Sequence, residues 1–350
     1  MMRTRVFVAM SGGVDSSVAA ALLCEKGFSA TGITMDIPGL PSPAIKAKEI
    51  CEFLKIPHIL IDCREILEKK IIHYFIEEYQ KGRTPNPCIY CNDIVKFGFF
   101  FDQAFTFGAH YFATGHYAQI KFHPPTSRYF LLKGTDPSRD QSYFLAHLDQ
   151  RRLSKTLFPL GAYSKDSVRE IAKSRKIPVA EGADSQEICF LEGRDYRDFC
   201  GIRDSSFSGK PGLIKDLSGE VIARHKGIHL YTLGQRKGTS AGGGTPWYVA
   251  RIDPTTNTVY VGRREELFVK ELYVDSCRTI SGEPLPLRYF CRVKIRYGSP
   301  DVPCILESVD NARWRVLFLR PQWAPAPGQI AVFYLGNRVV AAGTILAMQE

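Results

Sequence analysis

The chain opens on Val6-Phe7-Val8-Ala9-Met10, apolar at every position, the pattern of a strand covered on both faces. A polar, glycine-containing break follows, Ser11-Gly12-Gly13-Val14-Asp15-Ser16-Ser17, and then Val18-Ala19-Ala20-Ala21-Leu22-Leu23-Cys24, a run of helix formers closed by Gly27. The alternation repeats. Ala30–Met35 and His58–Asp62 read as strands around a helix over Ile45–Leu54 that stops before Pro57. Glu65–Gln80 reads as a long amphipathic helix ending at Gly82, Asp93–Phe107 as a helix closed by Gly108, and Tyr111–Thr114 as a strand. Ser164 is placed to cap a helix reaching about Arg175, ahead of Pro178. Strands alternating with helices predict an α/β fold built on a doubly wound parallel sheet. Ligands of such sheets bind beyond the carboxyl ends of the strands, so the break after Met10 and the turn Thr114-Gly115-His116 are expected to share one cleft.

The pattern changes near Ser205. Helix periodicity disappears and glycines become frequent, with short strand candidates at Leu213–Asp216, Val221–Ala223, Tyr248–Ile252 and Thr258–Val261. From about Leu272 strands dominate: Cys291–Tyr297, Cys304–Val309, Trp314–Phe318, Ile330–Tyr334 and Val339–Leu346. Evenly spaced short strands predict a small β-barrel or sandwich. The expected organisation is a catalytic domain over 1–204, a small β-rich central domain over 205–271 and a C-terminal β-barrel over 272–350. A chain of 350 residues with 45% hydrophobic positions is long enough for two or three cores of this kind. No apolar run is long enough to span a bilayer, and the first strand starts too soon for a targeting segment, so a cytoplasmic protein with no membrane partner is expected. The formal net charge of +10 points to a polyanionic partner.

The break after Met10 has the make-up of a phosphate cradle. Glycines allow backbone N–H groups to approach an anion, the helix N-terminus favours its charge, Ser11, Ser16 and Ser17 add hydroxyls, and Asp15 is placed to hold Mg²⁺. It is not a Walker A loop, because no lysine follows the glycines. Of the ten cysteines, Cys24, Cys51 and Cys291 fall on core-facing patterns. Cys88 and Cys91 lie in a proline-braced loop, Arg83-Thr84-Pro85-Asn86-Pro87-Cys88-Ile89-Tyr90-Cys91-Asn92, that opens the helix expected at Asp93. This puts Cys91 near a helix N-terminus, where the dipole and Lys96 favour its thiolate. Cys189 sits in Ser185-Gln186-Glu187-Ile188-Cys189-Phe190. Three readings fit these thiols. Cys88 and Cys91 suit half a zinc site, though no second well-spaced pair completes it. They also suit a dithiol redox pair, in surroundings that do not match one. The third reading is sulfur transfer between two thiols remote in sequence and adjacent in the fold, which Cys91 and Cys189 suit.

Ser11-Gly12-Gly13-Val14-Asp15-Ser16 resembles the PP-loop of the ATP pyrophosphatases. With Asn86-Pro87-Cys88-x-x-Cys91-Asn92, Ala113-Thr114-Gly115-His116-Tyr117-Ala118, Asp140–Leu145, Ser185-Gln186-x-Ile188-Cys189-Phe190, Tyr231–Gly238 and Pro327-Gly328-Gln329, the chain resembles the tRNA-specific 2-thiouridylase (MnmA) family over nearly its whole length. The resemblance implies ATP-dependent adenylation of O2 of the wobble uridine in the tRNA anticodon stem-loop, followed by sulfur delivery to C2 from a persulfide on Cys189, with Cys91 as the second catalytic cysteine and a disulfide formed between them. It implies ATP contacts at Ala9, Met10, Ser11, Gly12, Gly13, Val14, Asp15, Ser16, Met35 and Gly115. Asn86, Pro87 and Cys88 would face the target base, and His116, Arg139, Asp140, Gln141, Arg296, Tyr297 and Gln329 would contact tRNA. The implied cofactors are ATP and Mg²⁺, and the implied sulfur donor is a cysteine desulfurase or a relay protein. Cys88 stands where some members of the family carry aspartate. The stretch Asp36–Pro43 replaces an aromatic, Cys/Asp-rich segment and is shorter. The alternatives are a PP-loop synthetase adenylating a small molecule, which has no need of two remote thiols, and a non-catalytic RNA-binding protein, which has no need of an intact phosphate loop.

Overall fold

The computed structural model describes residues 3–37, 41–178, 188–191, 193–203, 209–239, 246–310 and 312–347. The continuously apolar opening run forms β1 (Arg5–Ala9), covered on both sides, and the break after it leads into α1 (Val14–Glu25). β2 (Ser29–Asp36), α2 (Pro41–Phe53) and β3 (His58–Asp62) follow. β4 (Tyr111–Ala113) comes next, then a hairpin of β5 (Ala118–His123) and β6 (Arg128–Lys133), then the short β7 (Thr156–Leu157). Five of these strands make a parallel sheet in the order β3-β2-β1-β4-β7. Strand order reverses at β1, so the crevice beyond its carboxyl end lies between β2 on one side and β4 on the other. Helices cover both faces in two cores. One holds Val8, Val18 and Leu22 with Ile50; the other holds Phe75, Phe97, Phe100 and Phe112 and contains Cys91.

Two helices depart from the expected pattern. Residues 64–80 are helical throughout as expected, with an i→i+5 stretch over Glu68–Ile72. The helix expected to begin at Asp93 begins at Pro87 and runs without interruption to Thr106, with an i→i+5 stretch over Cys91–Phe100. Proline at the first helical position costs nothing, since its missing N–H has no intrahelical acceptor there and its fixed φ is helical. Cys91 is therefore in the second turn, and Cys88 occupies the first. α2 likewise starts at Pro41, inside the stretch expected to be loop; Pro38–Leu40 lie outside the described residues.

The β5–β6 hairpin had no counterpart in the sequence reading. It leaves the parallel sheet and joins the C-terminal domain, where β6 pairs with Arg338–Ile345 at Leu132↔Arg338. That domain is a closed antiparallel barrel made by Phe268–Thr279, Arg288–Lys294, Val302–Ser308, Trp314–Trp323, Ile330–Leu335 and Arg338–Ile345; the first and last strands pair to close it. Alternate residues such as Val293, Leu306, Val316 and Phe333 fill its interior. Between the two domains stands a four-stranded sheet of Gly212–Asp216, Val221–His225, Tyr248–Asp253 and Thr258–Gly262, with a core of Ile214, Val249, Val259 and Val261. Trp323 of the barrel ties the two β domains together: its ring meets Tyr248 edge-on at 5.8 Å and lies under the guanidinium of Arg264 at 5.6 Å.

Candidate active site

The turn between β1 and α1 is held open toward solvent by its own side chains. Ser11 N donates to Ser16 Oγ (3.2 Å), while Ser16 Oγ and Ser17 Oγ donate to the Gly13 carbonyl (3.1 and 2.7 Å). Thr34 Oγ1 on β2 donates to Met10 O at 3.0 Å, pinning the end of β1. Gly13 precedes the helix with extended backbone, so the first N–H groups of α1 have no intrahelical acceptor and point at the crevice. Gly12 has φ +74°, and a Cβ there would lie 2.7 Å from Lys46 Cβ and 3.0 Å from the Pro43 carbonyl, so only glycine fits. Gly115, after β4, abuts the same turn: a Cβ on it would come within 2.9 Å of Asp15 C and Ser16 N. Ala9 and Met35 are half-buried at the strand ends, Met10 and Ser16 are buried, and Ser11 and Gly13 are exposed at the lip. The structure thus brings the expected nucleotide residues to one place.

Asp15 carries the only carboxylate of the turn. Its oxygens accept from Lys165 Nζ at 2.8 and 2.9 Å, and Oδ1 also accepts from Tyr117 OH at 2.7 Å. Lys165 is the first residue of the helix Lys165–Ser174, whose cap Ser164 accepts from Ser167 N.

The thiols lie on helix 87–106 and on the short turn Cys189–Leu191. Cys91 is buried, Cys88 is half-buried and Cys189 is exposed. All ten cysteines are free thiols. Cys91 and Phe190, the residue after Cys189, lie in one hydrophobic core, where Phe190 packs edge-on against Phe75 at 5.3 Å. Burial pushes the Cys88 thiol up to about 11 and the Cys91 thiol up to about 12, outweighing the opposing pull of Lys96. The expectation that dipole and Lys96 lower the Cys91 pKa is therefore reversed, because Cys91 lies past the helix start and inside the core. Ser185–Glu187 of the motif around Cys189 lie outside the described residues. His116 donates or accepts at Thr114 Oγ1 (2.7 Å) between the rings of Phe97 and Phe158, and burial together with Lys96 depresses its pKa to about 3.

The remaining expected residues gather along the seam between the α/β domain and the barrel. Tyr297, 37% exposed, lies tilted by 37° against Phe144 at 4.3 Å and 6.0 Å from the Tyr143 ring. Tyr143 OH, which meets the Asn86 side chain, donates to Ile330 O at 2.7 Å. Arg296 bonds the Ala324 carbonyl and lies 5.9 Å from the Trp323 ring. Arg139 is half-buried beside Tyr297. Asp140 is buried, and its carboxylate accepts from Gly134 N, Ser142 N and Ser142 Oγ, each at 3.0 Å. Gln141 Oε1 accepts from Tyr117 N at 3.0 Å. Gln329 Nε2 donates to the carbonyls of Thr84 (2.9 Å) and Pro85 (3.3 Å), while Thr84 N donates to Pro327 O (2.8 Å). The barrel thus grips the strap that leads into Asn86, Pro87 and Cys88.

Residues 4–193 match the family model described as tRNA methyl transferase HUP domain, 204–263 its PRC-barrel domain, and 269–345 the aminomethyltransferase beta-barrel domain. The chain is 42% identical to a tRNA-specific 2-thiouridylase of Thermoanaerobacter sp. over 98% of both chains. The chain belongs to the tRNA-specific 2-thiouridylase family. A thiouridylase of Carboxydothermus hydrogenoformans is 40% identical over 98% of both chains, and one of Syntrophomonas wolfei is 42% identical over 97% of this chain and 99% of its own.

Within this family frame, two groups at the site escaped the sequence reading. Lys165 lies 150 residues from Asp15 and appeared only as a helix position; the signal available was the missing lysine of the phosphate loop. The sequence places Asp93 at a helix start. It is instead a buried carboxylate that bonds Arg152, meets Arg278 of the barrel at 3.1 Å and faces His147 at 3.7 Å. Nothing in the local sequence marks it.

Proposed function

We propose that this protein is an ATP-dependent tRNA-uridine 2-sulfurtransferase that converts the wobble uridine of the anticodon to 2-thiouridine. The observation that carries this reading is the conjunction, in one α/β domain, of a glycine turn at a helix N-terminus with Cys88 and Cys91 on one helix and an exposed Cys189 whose neighbour Phe190 packs into the core that holds Cys91. ATP lies with its phosphates on the N–H groups of the turn and its nucleoside toward Ala9, Met35 and Gly115. Asp15, a hard oxygen donor beside the phosphates, fits Mg²⁺, which would add charge neutralisation there. O2 of the uridine attacks the α-phosphorus, pyrophosphate leaves, and the carbonyl oxygen becomes part of a phosphate ester that can depart as AMP. The terminal sulfur of a Cys189 persulfide attacks C2 and AMP leaves. The Cys91 thiolate then attacks Sγ of Cys189. The S–S bond to the transferred sulfur breaks, that sulfur stays on C2, and a Cys91–Cys189 disulfide remains for a thiol reductant to open.

His116, held neutral by burial, and the rings of Phe144 and Tyr297, backed by the fully buried Tyr143, offer stacking contacts to an extruded base, and Arg139 and Arg296 offer cationic contacts to its phosphates. Asn86, Pro87, Cys88, Asp140, Gln141 and Gln329 shape the strap and turn that line this seam. The sulfur donor is a cysteine desulfurase or a relay protein reaching the exposed Cys189, and the setting is the cytoplasm. Among the described residues no helix is long and apolar enough to cross a membrane. The working units are 1–204, 205–271 and 272–350.

The test supplies unmodified tRNA, ATP, a cysteine desulfurase with cysteine, and a thiol reductant, and reads nucleosides by mass spectrometry. ATP-dependent 2-thiouridine is expected, with none from Cys91→Ser or Cys189→Ser. Full activity of Cys189→Ser would sink the persulfide assignment, and tRNA-independent ATP cleavage driven by a small acid or amide would favour a small-molecule synthetase.

A further inference from the structure

The phosphate turn of this protein has no lysine of its own, although a polyanionic triphosphate calls for a cation beyond backbone N–H groups. One stands beside it. Lys165 is 6% exposed, a burial that lysine rarely accepts without a specific charge partner. Its ammonium spans both oxygens of Asp15 at 2.8 and 2.9 Å and hovers 6.0 Å from the Tyr117 ring centre. Its backbone heads the ten-residue helix Lys165–Ser174, which packs on α1. The mount is rigid: Lys165 N donates to Asp136 Oδ2 at 3.1 Å, and Ser164 caps the helix. Asp15 is more open than Lys165, with its side chain 34% exposed at the mouth of the crevice, so the carboxylate is not a group sequestered to balance a buried lysine.

We infer that Lys165 is the phosphate-binding lysine of this enzyme, contacting the β- and γ-phosphates of ATP and the pyrophosphate that leaves. The inference rests on the ATP-dependent reading above. Without nucleotide the ammonium is neutralised by Asp15. With ATP bound, Asp15 turns to the accompanying Mg²⁺ and the ammonium to the phosphate oxygens. A lysine acting as a counter-ion to Asp15 alone would affect all nucleotides alike, or only folding. One that touches the outer phosphates supports ATP and pyrophosphate and leaves AMP, which lacks those phosphates, unaffected.

The experiment is calorimetric titration of the full chain with ATP, AMP and inorganic pyrophosphate in Mg²⁺, without tRNA. Lys165→Met is expected to weaken ATP and pyrophosphate by about tenfold or more and to leave AMP within about threefold, whereas Lys165→Arg keeps most of the ATP preference. Because Lys165→Met strands a carboxylate and can impair folding, the comparison is repeated on Asp15→Asn, where both partners are neutral in the double variant. Adding Lys165→Met to Asp15→Asn is expected to cost the same further factor for ATP and none for AMP. Equal loss for ATP and AMP, or no loss for either, overturns the role of Lys165 and leaves the functional reading standing. Failure of the unaltered chain to bind ATP overturns both.

Discussion

Cys91 and Cys189 stand under opposite conditions, the first inside the core with its thiol pushed up to about 12, the second exposed to solvent. At neutral pH Cys91 is held as thiol, and in the proposed reaction it must lose that proton before its thiolate can free the transferred sulfur. The rate of that step, measured in a single turnover from preloaded persulfide, is expected to rise about tenfold per pH unit between pH 7 and 9 without levelling. A plateau near pH 8 would show that Cys91 attacks from a less buried state. His116 is held near 3 and His147 near 4, both by burial, against an ordinary value of 6.5. The unfolded chain takes up protons on these rings below pH 6.5 while the folded chain does not. Their contribution to stability is therefore full above pH 6.5 and is lost progressively as pH falls toward 4 and 3. Urea unfolding midpoints should drop across that window, and His116→Asn should flatten the drop. An unchanged pH slope in that variant would mean His116 is already open to protons.

At the scale of elements, the helix over 87–106 and the barrel loop at Pro327–Gln329 make one device. Pro87 starts the helix, so the strap before it must be extended, and extended backbone leaves carbonyls that need donors. Gln329 supplies them to Thr84 and Pro85. Removing its amide in Gln329→Ala frees the strap that sets Asn86, Pro87 and Cys88. A fall of roughly tenfold in kcat at saturating tRNA, with KM for tRNA little changed, is the expected outcome. A rise in KM at constant kcat would assign Gln329 to direct tRNA contact instead.

At the scale of the molecule, one buried carboxylate fastens the two large domains. Asp93 joins Arg152 on its own domain to Arg278 of the barrel. Asp93→Ala leaves two arginines without their counter-charge and should cost about 3 kcal/mol in urea unfolding, as breaking buried pairs does. Arg278, whose side chain is 62% exposed, contributes far less, and Arg278→Ala should cost under about 1 kcal/mol. Equal costs would place Arg278 in a dry interface. The β5–β6 hairpin adds a second fastening by extending the barrel sheet from within the α/β domain. The aromatic and basic residues proposed to meet tRNA lie along the seam these contacts hold.

The order of the main elements, the parallel sheet and the glycine turn between β1 and α1 were legible in the chain, because each is written in residues adjacent in sequence. Continuous apolar runs mean covered strands, Gly12-Gly13 ahead of a helix means an anion site, and proline and glycine mark helix ends. Tertiary structure decided everything that depends on burial or on partners far apart. It reversed the sense of the Cys91 pKa, since local charge cannot outweigh a core that sequence does not reveal. It turned β5–β6 toward the barrel, brought Lys165 to Asp15 and Gln329 to Thr84, and made Asp93 a junction. Electrostatics acts through space and desolvation through surrounding volume, and neither quantity exists until the chain has folded.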